Sequence, residues 1–163
     1  MDQDGLVKKM DSLTRIRTTA DYQFGYGSGI PLFSEQVEII FSKRTGKIRY
    51  IYLNGTRLVT LRPTDGLFSI SIDGAKRLMP HIQSLSCFVI VLDSVSKFVA
   101  KGSDVFSGHV VNAHSDIRPQ DEVIVMNESG QLLAIGKALL SGSEMINFLK
   151  GVAVRVRHGC RTS

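Results

Sequence analysis

The stretch from Leu132 to Gly159, LLAIGKALLSGSEMINFLKGVAVRVRHG, leaves few folds open to this chain. It sets an apolar run, a helix-start signal and a strict alternation one after another. Side chains alternate across a strand, so Val152, Val154 and Val156 predict a buried face while Arg155 and Arg157 project from the other. Between the two strands, Ser141 followed by Glu144 forms a capping box, in which each side chain satisfies the other's backbone N–H. Met145, Ile146 and Leu149 then predict one apolar helix face, and Gly151 stands where that helix must stop. No Asp or Glu lies between Met145 and Ser163 to neutralise the guanidinium row. A basic strand closing an apolar core reads as a binding surface, although a charged outer face is also ordinary on a globular domain.

Charge distribution extends that reading. The net charge is only +5, but from Lys43 to Arg62 the chain carries Lys43, Arg44, Lys47, Arg49, Arg57 and Arg62 and no acid. With Lys150, Arg155, Arg157 and Arg161 this makes two acid-free basic patches, the footprint expected of a polyanion partner. The first patch has a plainer reading too, since Lys and Arg on an edge hairpin block strand aggregation. The absence of tryptophan and 7% aromatic content argue against a long base-stacking groove, so phosphate contacts and shape should dominate.

Apolar residues at Leu6, Met10, Leu13, Ile16, Ala20 and Phe24 recur every three or four positions and predict one helix or two short consecutive ones, ended by Gly25, Gly27 and Gly29. Strands follow over 36–42, 47–53 and 56–61, the last two joined by a tight Asn54-Gly55 turn. A further strand is expected over 67–72, with Asp73 capping a short helix that carries Ala75, Leu78 and Met79. Beyond a connector at 81–86, the second half predicts a buried strand at 88–92, a helix at 95–100 ending at Gly102, and a long bent strand at 104–113. Strands at 122–126 and 132–139 precede the capped helix and the last strand. Five or six short strands with a helix at one end suggest a small barrel. The length of 163 residues suits one medium or two small domains, and 43% hydrophobic residues suffice for a packed core.

No catalytic constellation is legible. The segment 130–137 has five residues between Gly130 and Gly136, and Ala138 where a phosphate loop needs a hydroxyl. Gly25-Tyr26-Gly27-Ser28-Gly29 follows no strand and has Ile30 in place of a further glycine. There is no Gly-x-Ser-x-Gly elbow and no His-Glu-x-x-His pair. His109 and His114 sit an odd number of residues apart on an expected strand, so they point to opposite faces and do not make a metal pair. Cys87 and Cys160 make neither a disulfide framework nor a zinc quartet and read as apolar fillers. No cofactor and no metal are expected. No apolar run approaches the roughly 18 residues of a membrane span. The start Met1-Asp2-Gln3-Asp4 is unlike a signal or transit peptide, so the cytoplasm is the expected location.

Particular phrases go further than these patterns. GKALLSGSEMINFLKGVAVRVRHG resembles the closing motif of the PUA domain, a small RNA-binding barrel. KGSDVFSG at 101–108 and DIRPQDEV at 116–123 look like its opening half, with Gln120 standing where the family usually has the glycine of a Pro-Gly-Asp turn. In the first half, ADYQFG at 20–25, SKRTGKIR at 42–49 and LRPTDGL at 61–67 are similar to the domain that precedes the PUA domain in archaeosine tRNA-guanine transglycosylases. The resemblance implies an α+β chain. A small α+β sheet domain at 1–86 would be followed by a PUA-like β pseudobarrel at 87–163.

In that family RNA lies against the barrel's first helix, the glycine loop after it and the final strand, often at an acceptor stem and 3′ end. Carried onto this sequence, the implied RNA-binding residues are Lys97, Lys101, Gly102, Ser103, Arg155, Arg157 and His158. The hairpin cations Lys43, Arg44, Lys47, Arg49, Arg57 and Arg62 are a second candidate RNA patch. Neither the family's attacking aspartate nor its cysteine-rich zinc site has a matching position. The expected role is therefore non-catalytic tRNA binding in an archaeal tRNA modification system, as the separately encoded subunit of a split transglycosylase whose catalytic subunit is another chain. A free-standing factor for ribosomal or other RNA, and a basic module docking an acidic protein, are the alternatives.

Overall fold

The computed structural model describes residues 2–161. Its first half opens with a single helix, α1 (Gln3–Phe24), whose first turn is capped by Asp2 accepting from the Gly5 N–H at 2.6 Å. Only the second half of the apolar stripe is buried: Leu13, Ile16, Ala20 and Phe24 face the core, whereas Leu6 and Met10 stay 49% and 59% exposed. Gly25 ends the helix at φ 129°, where a Cβ would lie 2.3 Å from the Ser84 carbonyl oxygen, so the exit is fixed by close packing as well as by backbone freedom. A short helix, α2 (Gly29–Leu32), leads to β1 (Glu38–Phe41), β2 (Ile48–Leu53), β3 (Thr56–Leu61) and β4 (Phe68–Ile70), an antiparallel sheet in that order. The helix after β4, α3 (Ile72–Leu78), is capped by Ser71, which accepts from the Gly74 N–H, and not by Asp73 as the sequence suggested. Phe24, Phe33 and Phe68 meet beneath this sheet, with Phe33 edge-on to Phe68 at 5.4 Å.

The second half is a six-stranded, nearly closed pseudobarrel. Its elements are β5 (Phe88–Val91), α4 (Ser96–Ala100), β6 (Val105–Phe106), β7 (Val110–Ala113), β8 (Glu122–Asn127), β9 (Leu132–Ala138), α5 (Gly142–Asn147) and β10 (Val152–Gly159). The spatial order is β6-β10-β9-β8-β5-β7, with β5 and β8 parallel. The single bent strand expected at 104–113 breaks at a 3₁₀ turn, Ser107–His109. That break sends β6 to pair with β10 and β7 to pair with β5 at the other edge, which wraps the sheet around its core.

The capping box at Ser141 and Glu144 is formed, but α5 stops at Asn147. Phe148 is extended at φ −81°, ψ 134°, so Leu149 lies beyond the helix and is 87% exposed, leaving Met145 as its buried apolar anchor. The two halves share packing: Ile124 and Ile135 of the barrel belong to the same buried cluster as Phe24 and Phe68.

Candidate nucleic-acid interface

The final strand is bent by sequence-local events. β10 shifts register against β6 between Val152 and Val154, and against β9 between Val156 and His158. Arg157 is the extra residue of the second bulge, and bulges re-aim the side chains beside them. The Val156 N–H donates to Asp104 Oδ1 at 2.9 Å, which pins the bulge to the loop after α4. At the strand's end Gly159 runs so close to α4 that a Cβ would lie 2.2 Å from the Ala100 carbonyl oxygen and 2.8 Å from the Gly102 nitrogen. Glycine is required there, and it brings the helix end and the last strand into one surface.

On that surface Lys97, Lys101 and Ser103 are exposed, as are Arg155 and His158. Gly102 sits at φ 108° and donates to the Val99 carbonyl, so it ends α4 while keeping the loop free of side-chain bulk. Arg155 stands directly opposite Lys137 of β9. Two like charges facing across a ladder destabilise it, and neither has an ion pair among the described residues. Lys137 escaped the sequence reading because its neighbours look like a plain apolar strand; its position opposite Arg155 is set by the β9–β10 register alone.

Arg157 is placed elsewhere. Its two terminal nitrogens fork onto the Glu122 carboxylate, both at 2.7 Å, and one also donates to the Ile70 carbonyl at 2.8 Å. The Ile70 N–H donates to the same carboxylate at 2.6 Å. The ion pair thus occupies both backbone groups of Ile70 on β4, joining the first sheet to β8 and β10. The expected phosphate fork at Arg157 is committed to this internal task because the bulge turns the side chain toward the junction. Glu122 is 2% exposed and was legible only as the start of a strand.

The hairpin patch is also rearranged. Ser42–Lys47 and Arg62–Leu67 adopt the same turn: Gly46 N–H donates to Ser42 O and Gly66 N–H to Arg62 O, with both glycines at φ 72°. Because β1 to β4 run in order, the two turns lie side by side at one end of the sheet. Between them is a cleft of about 780 Å³ that Arg44, Lys47, Arg49 and Arg62 line. Arg62 is forked by Asp65, through Nε at 3.2 Å and Nη2 at 2.9 Å. Desolvation pushes the Asp65 carboxyl up, but the Leu67 N–H and the Arg62 charge hold it below the usual carboxylate range. Arg57 is not in the cleft, since it sits by the Asn54-Gly55 turn at the opposite end, across from Tyr52. Lys43 is exposed on the first turn but does not line the cleft.

Arg62 also lines a polar cleft of about 460 Å³ at the junction, together with Arg118, Asp121 and Glu122. It therefore borders both the twin-turn cleft and the junction cleft that Glu122 lines. His109 packs edge-on to Phe106 and His114 edge-on to Phe88, each serving a different ring. Among the described residues no cluster of three or more His, Cys, Asp or Glu could hold a metal ion, and no helix is long and apolar enough to cross a membrane.

Residues 14–84 match the patch-forming domain C2 of tRNA-guanine transglycosylase, and residues 88–160 match the PUA domain. The chain is 42% identical over 151 residues to a tRNA-guanine(15) transglycosylase of Methanobrevibacter smithii, covering 93% of this chain and 23% of that protein. A tRNA-guanine(15) transglycosylase of Pyrococcus furiosus is 43% identical over 149 residues, covering 91% and 25% respectively. The chain thus spans about a quarter of the length of these curated relatives, their C-terminal part. Among solved structures, a hypothetical protein of Pyrococcus horikoshii OT3 superposes with a TM-score of 0.74 at 26% identity, covering 95% of this chain and 93% of that one. A conserved PUA domain protein of Thermoplasma acidophilum shares the fold, with a TM-score of 0.67 at 20% identity.

Proposed function

The chain carries a C2 domain of the tRNA-guanine transglycosylase type followed by a PUA domain, and from that premise we propose that it is a non-catalytic tRNA-binding protein. The observation that carries the reading is the meeting of the α4 loop with β10. Gly159 and Gly102 let the two approach, and cations stand on both sides of the seam. Lys97 and Lys101 neutralise phosphate, and Gly102 and Ser103 leave room for a backbone or terminal base. Arg155, with Lys137 opposite, forks onto phosphate or stacks on an unpaired base, and His158 extends the same edge.

The ligand is the tRNA acceptor end. The twin-turn cleft, with Arg44, Lys47, Arg49 and Arg62, grips backbone phosphate farther along the same RNA. We place the domain boundary between residues 86 and 87, the working location in the cytoplasm, and the base-exchange chemistry on a separate catalytic subunit corresponding to the part of the relatives outside the aligned segment. One observation favours a second reading, a free-standing RNA-binding factor: the Pyrococcus horikoshii structure has nearly the same extent as this chain.

Binding of intact tRNA and of tRNA trimmed at its 3′ end, titrated with salt, tests the proposal. Log affinity should fall with log salt by roughly 0.7 to 0.9 per neutralised phosphate, and trimming should weaken binding. Equal, weak binding to both would reduce the surface to a generic basic face.

A further inference from the structure

The polar cleft at the junction differs in chemistry from the two basic surfaces. It is lined by Tyr22 from the end of α1, by Arg62 from the second of the twin turns, and by Asp116, Arg118 and Asp121 from the segment before β8. Glu122 lines it too, but is already bonded to Arg157 and to the Ile70 N–H. That leaves two arginines against two aspartates, and Arg62 is shared with Asp65. The cleft therefore has no surplus of positive charge with which to hold a phosphate. It does have hydrogen-bonding groups of both kinds, guanidinium forks that only donate and carboxylates that accept. A neutral ligand with one donor edge and one acceptor edge suits it, and about 460 Å³ is room for a single nucleoside.

We propose that the junction cleft receives one unpaired guanine base of the bound RNA. The inference rests on the RNA-binding reading above. Guanine has the two edges that match: its ring N–H and amino group donate as a pair to one carboxylate, while O6 and N7 accept from an arginine fork. Adenine, cytosine and uracil carry no such donor pair. Asp121 accepts the Arg118 N–H at 2.9 Å, which fixes the carboxylate in its turn and leaves lone pairs for a base. Arg118 is exposed and has no ion pair among the described residues, so its guanidinium is open to O6 and N7. Tyr22 is 82% exposed and offers a ring on which the base stacks, whereas Gln23 beside it is tied at both ends to Phe68. A single ring serves one base, in keeping with a chain too poor in aromatics for a long stacking groove. Arg62 lines this cleft and the basic cleft between the twin turns, so a backbone gripped by Arg44, Lys47 and Arg49 lies next to the junction and can turn one base into it.

Proton–nitrogen correlation NMR of the full chain, titrated with GMP, AMP, CMP and UMP, tests this, with tRNA affinity measured on the same preparation. The four nucleotides carry the same phosphate, so differences among them report the base. GMP should shift the amides of Tyr22, Arg62 and Leu67 and of residues 116–121, and the other three should bind there at least about 5-fold more weakly. Tyr22→Ala should weaken all four alike and Arg118→Ala should remove the preference for GMP, each with an unchanged melting curve because both side chains are exposed. Asp121→Asn keeps an oxygen for the Arg118 N–H but sets an amide donor against the guanine donors. GMP should then weaken by at least about 10-fold, while xanthosine monophosphate, with a carbonyl in place of the amino group, should gain. Intact tRNA should displace GMP from the junction. Equal binding of the four nucleotides, GMP shifts confined to the twin turns, or tRNA and GMP bound together would overturn the inference. Failure of tRNA to bind, with GMP still selective for the junction, would instead sink the RNA-binding reading and leave a guanine site filled by a free nucleotide.

Discussion

Gln120 occupies a position built for glycine. It holds φ 80°, in the left-handed region, while its N–H donates to the Ala138 carbonyl and closes the turn before β8. A side chain in that region costs about 1–2 kcal/mol relative to glycine, so Gln120→Gly should stabilise the protein by about 1 kcal/mol after the extra chain entropy of glycine is set against it. Thermal unfolding should show the melting temperature rising by about 2–4 °C; a fall would mean that the Gln120 side chain contributes contacts of its own. The thiols separate just as clearly. Burial, with the Glu122 charge adding to it, pushes Cys87 up to about 12, while Cys160 is half-buried on the rim of a small cleft beside Lys97. A thiol reagent at pH 8 should label Cys160 in the folded protein and reach Cys87 only on unfolding. Rapid labelling of both would show that the junction opens.

At the scale of elements, the twin turns explain why sequence proximity misled. Lys43 to Arg62 is one basic run on paper, but hairpin connectivity sends alternate turns to opposite ends of a sheet, so Arg57 parts from Arg44, Lys47, Arg49 and Arg62. Replacing Arg44 and Lys47 together by alanine should lower the salt slope of tRNA binding by roughly 1.4 to 1.8, whereas Arg57→Ala should leave it unchanged. An equal drop from Arg57→Ala would mean that the RNA crosses the whole sheet face. Strands, hairpin turns and the capping box were legible because each is fixed by residues within a few positions. The break at Ser107–His109 and the Arg157 bulge were not, because pairing partners distant in sequence decide them. The basic surface proposed for RNA was legible by type of residue and not by orientation: Arg155 and Arg157 look equivalent by alternation, but one extra residue in the ladder leaves Arg155 exposed opposite Lys137 and turns Arg157 onto Glu122.

For the whole molecule, the latch of Glu122, Arg157 and Ile70 sets how the two basic surfaces are spaced. Removing one member of such a pair leaves the other's charge buried and uncompensated, so Arg157→Ala should destabilise the protein by about 3 kcal/mol, the low end of that cost because the arginine side chain is 33% exposed. Arg155→Ala, at an exposed site without an ion pair, should change stability by less than about 0.5 kcal/mol while weakening tRNA binding. The two arginines thus separate a structural from a binding role within one strand. If the barrel seam and the twin-turn cleft hold one RNA, a fixed spacing lets binding at one raise the effective concentration at the other. Below its melting temperature, the Arg157→Ala protein should then bind tRNA more weakly. Removing Arg44 and Lys47 in that background should also cost less affinity than in the wild type, because the second grip no longer arrives in register. A double-mutant cycle on tRNA affinity measures this directly. Strict additivity would mean that the two surfaces act on RNA independently and that the latch serves stability alone.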